Sequence, residues 1–383
     1  MPAEGMHHDR DTRQCFYFSK NGAPDINPQG NWEKKMLGKK ARTALFLLLL
    51  ICIVVLLGFG GQEQKLKNEE SGQYDKLTIY SYDAFPEALE ESIRNHFAGD
   101  ETLSVELIRF EDTGGLFNQV YLERMEPVAD VVIGLDNTYL SRILEEEIFQ
   151  PYEPADLDLI NPGLLVDGGY RAIPFDYGSV TLNYDSELLE SPPESWDDLV
   201  DPRFKGQIIL MNPATSSPGR NFLLFTIVEF GEDKYLEFWK NLKPNILTVT
   251  AGWSEGYGLY TQGEAPIVLS YDTSPAYHLH YEKTDRYKNI FFEGKAYAQI
   301  EIAGITNGAK NVNAARMCID FIVSKTFQDL IPLNQIMYPV RSDAELPDAF
   351  IQSGSAEIIV NMNEKTVAER FDGWLRGWEA VMR

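Results

Sequence analysis

The chain has 383 residues, enough for two domains, and its 44% hydrophobic and 24% charged composition is typical of a globular protein and excludes a wholly disordered one. Its formal net charge of −24 disfavours nucleic acid and anionic lipid as partners, because both would be repelled, whereas a cationic ligand would be tolerated. After residue 61 the only cysteine is Cys318, and the whole chain has five histidines, so we expect neither an internal disulfide in that part nor a metal site.

The N-terminal part has the order of a secretory signal, in which a basic cluster at 34–42 precedes an uncharged apolar run at 44–59. This run is longer than a usual signal core and shorter than the roughly 17 to 25 residues that span a bilayer. Cleavage near Gly60 and retention as a membrane anchor therefore both remain open, with the length favouring cleavage, and Met36 is an alternative start. The predicted segments are a cytoplasmic segment or signal n-region (1–43), a signal core or membrane anchor (44–61) and a tether (62–76).

From Leu77 onward, short apolar runs alternate with amphipathic stretches. Three strand-then-helix units in succession predict a parallel sheet with crossover helices, whose strand carboxyl ends meet along one edge. The predicted strands lie at 77–80, 105–108 and 130–133, and the helices that follow them at 87–96, 116–124 and 140–147.

A long extended run at 172–185 follows and is a candidate hinge, after which the second half repeats the α/β theme. A later extended run at 298–303 could return the chain to the first half. The predicted fold class is therefore α/β with two lobes, each a mixed sheet flanked by helices, joined by two extended hinge crossings. Two unrelated α/β domains in tandem remain the alternative. The predicted limits are lobe 1 (77–177), lobe 2 (178–302) and a return to lobe 1 with C-terminal helices (303–383).

Aromatic and polar residues are concentrated in three segments, 80–83, 250–258 and 270–278, which follow predicted strands and whose Gly, Ser and Pro content indicates loops. Such a cluster of Tyr, Trp and carboxylate side chains suits a flat, cationic heteroaromatic ligand. Ring faces stack on its positive charge and stabilise it by about 0.5 to 2 kcal/mol per contact. A carboxylate can accept hydrogen bonds from an exocyclic amine. Ordinary core packing of the aromatics is the alternative for any single ring.

The segment 212–220, rich in Ser, Thr and Pro, leads into a predicted helix at 221–230. Free N–H groups at a helix start form an anion site, which would suit a phosphate ester on the ligand. Simple helix capping is the alternative.

The residues at 252–256 match the nucleophile-elbow pattern of serine hydrolases, with Ser254 as the nucleophile. A triad also requires an acid and then a histidine downstream, but the histidines nearest in sequence, His278 and His280, lie just beyond the third strand of that lobe. We therefore predict no catalytic residue, and a hydrolase is only a distant alternative.

Eight segments, taken together and in this order, resemble the family of periplasmic thiamine-binding proteins, the substrate-binding components of thiamine ABC transporters with a type 2 periplasmic-binding-protein fold. The resemblance covers essentially all of 77–383. Its segments are 80–83 (YSYD), 110–112 (FED), 129–137 (ADVVIGLDN), 174–178 (PFDYG), 215–219 (TSSPG), 252–258 (GWSEGYG), 270–278 (SYDTSPAYH) and 337–340 (MYPV).

The resemblance implies a receptor with no cofactor and no enzymatic activity that captures thiamine or its mono- or diphosphate. It also implies an ABC permease and its ATPase as partners, a periplasmic or extracytoplasmic location and a monomer. Six residues are implied as ligand-binding: an aromatic box of Tyr82, Trp253, Tyr271 and Tyr277, Asp112 for the aminopyrimidine, and Ser216 at the phosphate end.

Two positions depart from the family pattern. Ile336 stands where a tryptophan is frequent, and Thr113 follows Asp112 where a glycine is expected. Both bear on the identity of the ligand more than on the fold. Related receptors bind ferric iron through paired tyrosines, here Tyr271 and Tyr277, or bind polyamines or phosphonates, and these are the alternatives.

Overall fold

The structure is a computed structural model that describes residues 76–383. The predictions for 1–43, 44–61 and most of 62–76 lie outside these residues. Within the described range, no helix has both the length and the apolar composition that crossing a membrane requires.

The strands of the described chain form one continuous mixed sheet with the order β2-β1-β3-β10-β5-β8-β6-β7, to which β4, β9, β11 and β12 add short pairings. They are β1 (Lys76–Tyr82), β2 (Ser104–Phe110), β3 (Val131–Asp136), β4 (Phe149–Gln150), β5 (Ile173–Asp185), β6 (Ile208–Met211), β7 (Ile246–Thr250), β8 (Ile267–Tyr271), β9 (Tyr287–Ile290), β10 (Lys295–Thr306), β11 (Tyr338–Pro339) and β12 (Ile358–Val360).

The helices lie on both faces of this sheet and include a π-helix at His278–Glu282. The α-helices are α1 (Glu87–Phe97), α2 (Thr113–Glu123), α3 (Leu140–Glu145), α4 (Trp196–Leu199), α5 (Ser217–Phe230), α6 (Tyr235–Leu242), α7 (Trp253–Thr261), α8 (Ser274–Tyr277), α9 (Val312–Ile322), α10 (Lys325–Gln328), α11 (Ile331–Asn334), α12 (Asp348–Gln352) and α13 (Glu364–Met382).

The first three strands confirm the predicted parallel arrangement, because β1 pairs in parallel with both β2 and β3. In β3 every residue is buried, as the apolar run 131–135 predicts for a strand covered on both faces, and the strand ends in a buried Asp136. The carboxyl ends of β1 and β3 therefore lie side by side and deliver Tyr82 and Asp136 to the same edge of the sheet.

Two long strands pass between the lobes. β5 and β10 pair antiparallel with each other from Ser179↔Ala298 to Ile173↔Ala303. β10 also pairs with β3 on the first-lobe side, whereas the later part of β5 pairs with β8 on the second-lobe side. The two extended crossings of the predicted two-lobed architecture are thus confirmed.

The hydrophobic core is divided in the same way. Two buried clusters cover opposite faces of the first-lobe strands, and one of them contains Cys318 with its side chain fully buried. A larger cluster surrounds the second-lobe strands and includes Trp374 and Trp378 of α13. The limits predicted for the lobes place residues 303–383 in a return to lobe 1 with C-terminal helices. These limits stay predictions.

The three segments predicted as loops contain regular structure: 80–83 contains the end of β1, and 270–278 contains the end of β8 and all of α8. The segment 250–258, predicted as a loop from its Gly content, contains the first part of α7. Gly252 has extended backbone at the N-cap position, and Trp253 stacks on Tyr257 one helical turn later, with ring centroids 4.8 Å apart. Packing of these rings and of the fully buried Tyr260 therefore outweighs the low helix propensity of Gly256 and Gly258.

Candidate ligand-binding cleft

A cleft of about 640 Å³ lies between the two lobes, at the edge where β1, β8 and the crossing strand β10 come together. Of the predicted ligand-binding residues, it is lined by Tyr82, Asp112, Trp253, Tyr271 and Tyr277. Ser216 does not line the cleft, although the next residue, Ser217, does. The structure thus brings five of the six residues to one cavity, and their individual roles stay predictions.

The aromatic rings differ in how firmly they are held. The Trp253 indole stacks on Tyr257, with an interplanar angle of 18°, and donates a hydrogen bond from Nε1 to Ser270 Oγ over 2.9 Å. The Tyr271 hydroxyl accepts a hydrogen bond of 2.9 Å from Gln299. Tyr277, by contrast, is 41% exposed. Trp253 and Tyr271 are therefore fixed walls, and Tyr277 lies at the mouth.

A hydrogen-bonded series behind the tryptophan also reaches the cleft. The Tyr257 hydroxyl and His278 Nε2 are 2.9 Å apart, and His278 Nδ1 is 2.7 Å from Glu282. Burial lowers the pKa of His278 despite the adjacent carboxylate, so the imidazole is neutral at pH 7. Both of its nitrogens are thus occupied by groups other than Ser254, the residue required by the hydrolase alternative.

Asp112 joins the two lobes at the start of α2. Its Oδ1 accepts a hydrogen bond of 2.6 Å from the Thr113 amide, and its Oδ2 accepts one of 3.1 Å from the Trp253 amide at the start of α7. Beside it, the Gly114 amide donates to the Thr215 carbonyl over 2.9 Å. A Cβ at Gly114 would lie only 2.7 Å from that carbonyl oxygen, so glycine permits this close approach.

Thr113, one of the two departures from the family pattern, has a structural role here. Its hydroxyl donates to the Gly134 carbonyl over 3.2 Å and so ties the first turn of α2 to β3. The other departure, Ile336, lines the cleft with a left-handed backbone, φ 58°.

Ser216 lies at the N-cap position of α5, almost fully buried, next to the Asp112 carboxyl. Its hydroxyl makes no hydrogen bond of normal geometry to any described residue. Burial raises the pKa of Asp112 to about 6, whereas hydrogen bonding from the Thr113 amide, and to a lesser extent the Ser216 hydroxyl and the Trp253 amide, lowers it. The residues predicted for the two opposite ends of the ligand, Asp112 and Ser216, are therefore neighbours.

Carboxyl groups from three adjacent strands lie together at one side of the cleft, where Glu301 lines it and Asp136 and Asp176 are buried behind it. In the sheet register Glu301 of β10 lies opposite Asp136 of β3 on one side and opposite Asp176 of β5 on the other. Glu301 lines the cleft and accepts hydrogen bonds from the Tyr82 hydroxyl over 2.8 Å and from the Gln299 amide over 3.1 Å. The Tyr82 ring in turn lies over Gly134, where a Cβ would be 2.1 Å from the ring carbon Cε1.

Asp136 and Asp176 differ in the hydrogen bonds that their carboxyl groups accept. Asp136 accepts hydrogen bonds from the Thr138 amide over 2.7 Å and from the Ser217 hydroxyl. Asp176 is fully buried, and neither of its carboxyl oxygens makes a hydrogen bond of normal geometry to a described residue, although the Gln335 side chain is close enough to lower its pKa. Burial and the neighbouring Glu301 raise the pKa of Asp176 well above its usual range, and burial, with smaller contributions from Asp136 and Asp112, raises that of Glu301 to about 8.

Sequence reasoning did not single out Asp176, Glu301 or Tyr257 as site residues. A usable signal for the first two is present, since each is an ionisable residue with apolar neighbours in a largely apolar extended run. Across residues 76–383, no group of three or more His, Cys, Asp and Glu side chains is arranged to hold a metal ion.

Comparison with known proteins gives consistent matches. Residues 126–355 match the family described as bacterial extracellular solute-binding protein. The chain is 35% identical over 311 residues to the thiamine-binding periplasmic protein of Salmonella typhimurium, covering 80% of this chain and 93% of that one. It is 37% identical over 311 residues to the protein of the same description from Brucella abortus, covering 80% and 92%. A solved structure described as a periplasmic thiamin binding protein is similar with a TM-score of 0.73 and 33% identity, over 80% of this chain and 96% of that chain.

Proposed function

We propose, because the chain belongs to the family of thiamine-binding periplasmic proteins, that it captures thiamine between its two lobes outside the cytoplasmic membrane. The observation that carries this proposal is the combination in one cleft of stacked aromatic rings with a floor of buried carboxyl groups. Thiamine has a flat aminopyrimidine and a thiazolium ring with a permanent positive charge, and each of these parts has a chemical counterpart in the cleft.

The aromatic box is the first part of the proposed site. Trp253 and Tyr271, held by Ser270 and Gln299, provide fixed ring faces for stacking, with Tyr82 at the floor and Tyr277 at the mouth. A cation over such rings is stabilised by about 0.5 to 2 kcal/mol per contact, with the larger values in a water-excluded site. We assign these four residues to stacking on the two rings of thiamine.

The helix starts form the second part. The first turns of α2, α5 and α7 approach one another around Asp112, with Ser216 beside it. Helix N-termini attract anions through free N–H groups and their partial positive charge. This is the region that would take the phosphate of thiamine monophosphate or diphosphate. The same carboxyl group, Asp112, is the proposed acceptor for the aminopyrimidine amine when the ligand has no phosphate.

Delivery to an ABC importer is the third part of the proposal. The two lobes would present their outer faces to a permease, with its ATPase on the far side of the membrane, and no reaction would occur in the cleft. The protein would act as a monomer and need no cofactor.

Isothermal titration of the purified protein with thiamine, repeated on Trp253→Ala and Trp253→Phe, tests the proposed function. We expect one-to-one binding that Trp253→Ala weakens by at least tenfold, about 1.4 kcal/mol, and that Trp253→Phe weakens less because a ring face remains. Absence of both binding heat and thermal stabilisation with thiamine and its phosphates would exclude thiamine as the ligand. A colour that EDTA removes would indicate ferric iron instead.

A further inference from the structure

Two adjacent carboxyl groups lie beneath the cleft without a cationic partner. Glu301 is 5% exposed, and its hydrogen-bond partners, Tyr82 and Gln299, are both neutral donors. Asp176, directly across the strand pair, is 0% exposed and makes no hydrogen bond of normal geometry to any described residue, although the neutral Gln335 side chain is close enough to lower its pKa. Buried carboxyl groups are normally hydrogen-bonded or paired, so this pair requires an explanation.

We propose that the Asp176–Glu301 pair is the counter-charge of the permanent cation in the ligand, and that in the empty cleft the pair retains a proton which it releases when the cation binds. This inference rests on the proposed function, because it takes the thiazolium ring of thiamine as the cation. It adds to that function a linkage between ligand capture and the external pH.

The geometry favours a shared proton in the empty cleft. Residues directly opposite on neighbouring strands project to the same face, with Cβ atoms about 4.5 to 5.5 Å apart. Two carboxylates that close in a buried site repel each other strongly, and such pairs lose their protons in two separate steps. The raised pKa values of both groups agree with this reading.

The other groups facing the pair do not neutralise it. Tyr82 of β1 and Tyr271 of β8 both have pKa values well above the usual tyrosine range, mainly through burial, so they stay neutral donors at physiological pH. Asp136 of β3 and Asp112 at the start of α2 each raise the pKa of Glu301. Gln299 and Gln335 carry no charge; Gln335 donates to the Tyr82 hydroxyl and also lowers the pKa of Asp176 without offsetting its burial. The two ionisable neighbours other than the tyrosines, Asp136 and Asp112, are both acidic, so neither would repel a bound cation.

The exchange balances in protons and charge. The quaternary nitrogen of a thiazolium carries no hydrogen, so no proton moves between ligand and protein. One cation enters the cleft, and one proton leaves the carboxyl pair for solvent. The association constant then rises with pH, by up to tenfold per pH unit, wherever the empty pair holds a proton that the complex lacks. This dependence ends above the pKa of the empty pair, near 8 for Glu301.

Titration calorimetry in two buffers of different protonation enthalpy measures the protons released. The ligands are thiamine and its neutral analogue in which a thiophene replaces the thiazolium. The variants are Glu301→Gln, Asp176→Asn and the double variant. Asp272→Asn is the matched control, because Asp272 is also buried, with a pKa raised to about 7 chiefly by burial, but it does not line the cleft and its Oδ1 accepts from the Ser179 amide.

At pH 7 we expect wild type and Asp272→Asn to release about one proton with thiamine and none with the thiophene analogue. Each single variant keeps one buried carboxyl group, whose pKa burial alone still raises, so it should release at most one proton and bind thiamine more weakly than wild type. With no carboxyl group left in the pair, the double variant should release none. The double variant should lose at least tenfold in its preference for thiamine over the analogue.

Two results would overturn the proposal. Thiamine binding without proton release in wild type, or with the same release in the double variant as in wild type, leaves the proposed function intact and refutes the proton exchange. Absence of thiamine binding at any pH refutes the proposed function and this inference together. The proton count in wild type, with thiamine and with the neutral analogue, keeps the test decisive even if the double variant does not fold.

Discussion

Buried carboxyl groups occur in two regions of the cleft, and their surroundings differ. In the helix-end region, formed by Asp112 and Ser216 with the first turns of α2, α5 and α7, the Asp112 carboxyl is held by the Thr113 and Trp253 amides. In the strand floor, formed by Tyr82, Asp176 and Glu301, two carboxyl groups lie opposite each other and Asp176 makes no hydrogen bond of normal geometry to a described residue.

The difference shows that burial alone does not set the charge of a carboxyl group. Burial raises the pKa in both regions, but backbone N–H donors limit the rise to about 6 at Asp112, whereas a second carboxyl group adds to it in the floor. At pH 7 the helix-end carboxyl is ionised while the floor retains a proton. The first region therefore surrounds one anion with donors, and the second offers acceptors to a cation.

Gly114→Ala should give the largest effect, because it acts on the contact that closes the helix-end region. The added Cβ would lie 2.7 Å from the Thr215 carbonyl oxygen, which belongs to the opposite lobe, and backbone cannot move aside as a side chain can. We expect thiamine affinity, measured by calorimetry, to fall a hundredfold or more. The free energy of unfolding without ligand should be unchanged or higher, since the lobes can open and alanine favours the helix.

The neighbouring Gly115→Ala is the matched control, because its Cβ would meet only the Phe110 Cβ at 3.9 Å, an ordinary contact. It lies in the same turn of α2 and should bind thiamine normally. Equal affinities for the two alanine variants would show that the contact between Gly114 and Thr215 is not required for capture.

Asp112→Asn should have an intermediate effect that separates the two roles proposed for the helix-end region. Asparagine keeps an oxygen for the Thr113 amide but removes the negative charge that would repel a phosphate. We expect the affinity for thiamine monophosphate relative to thiamine to rise by about tenfold at pH 7.5. In wild type the same ratio should rise as the pH falls through about 6, where Asp112 becomes protonated.

The phosphate itself titrates near pH 6, so the informative quantity is the difference between wild type and Asp112→Asn across that range. The strand floor affects both ligands alike and cancels from the ratio. Should the variant weaken both ligands equally, Asp112 binds the aminopyrimidine amine and the phosphate lies elsewhere.

The parts of this molecule that the sequence predicts are those determined by local pattern. β3 is apolar up to its last residue and is buried throughout, and the long runs that contain β5 and β10 are extended as predicted. Tyr82 and Tyr271 line the cleft because each ends a parallel strand. Such features depend on neighbours in sequence, or on the general rule that strand carboxyl ends share an edge.

The features that sequence reasoning missed depend on distant pairing. Asp176 and Glu301 meet only through the register of β5 against β10, which no local pattern specifies. Likewise α7 is a helix because the rings of Trp253, Tyr257 and Tyr260 pack against the second lobe, although its glycines indicate a loop. The strand floor could therefore not be predicted from the sequence, whereas the aromatic residues around it could.

Ile336→Trp should give the smallest effect. It tests the strand floor, whereas Gly114→Ala and Asp112→Asn test the helix-end region. Ile336 lines the cleft next to Gln335, which donates to the Tyr82 hydroxyl, and it occupies the position where the family often has a tryptophan. An added ring there would stack on the end of the ligand that lies over the floor. We expect thiamine and thiamine monophosphate both to bind about threefold tighter by calorimetry, with no change in their ratio, because the helix-end region is untouched.

Ile336→Asn distinguishes the effect of an added ring from the effect of relieving backbone strain at this position. A β-branched residue with φ 58° is strained by about 1 to 3 kcal/mol, and asparagine adopts this conformation more readily. The asparagine variant should therefore raise the melting temperature without raising affinity. If instead both variants tighten binding equally, relief of backbone strain rather than stacking accounts for the gain, and the missing tryptophan has no bearing on ligand choice. A gain in affinity confined to the monophosphate would place the phosphate over the strand floor. The cation-binding and phosphate-binding roles assigned to the two regions would then be exchanged.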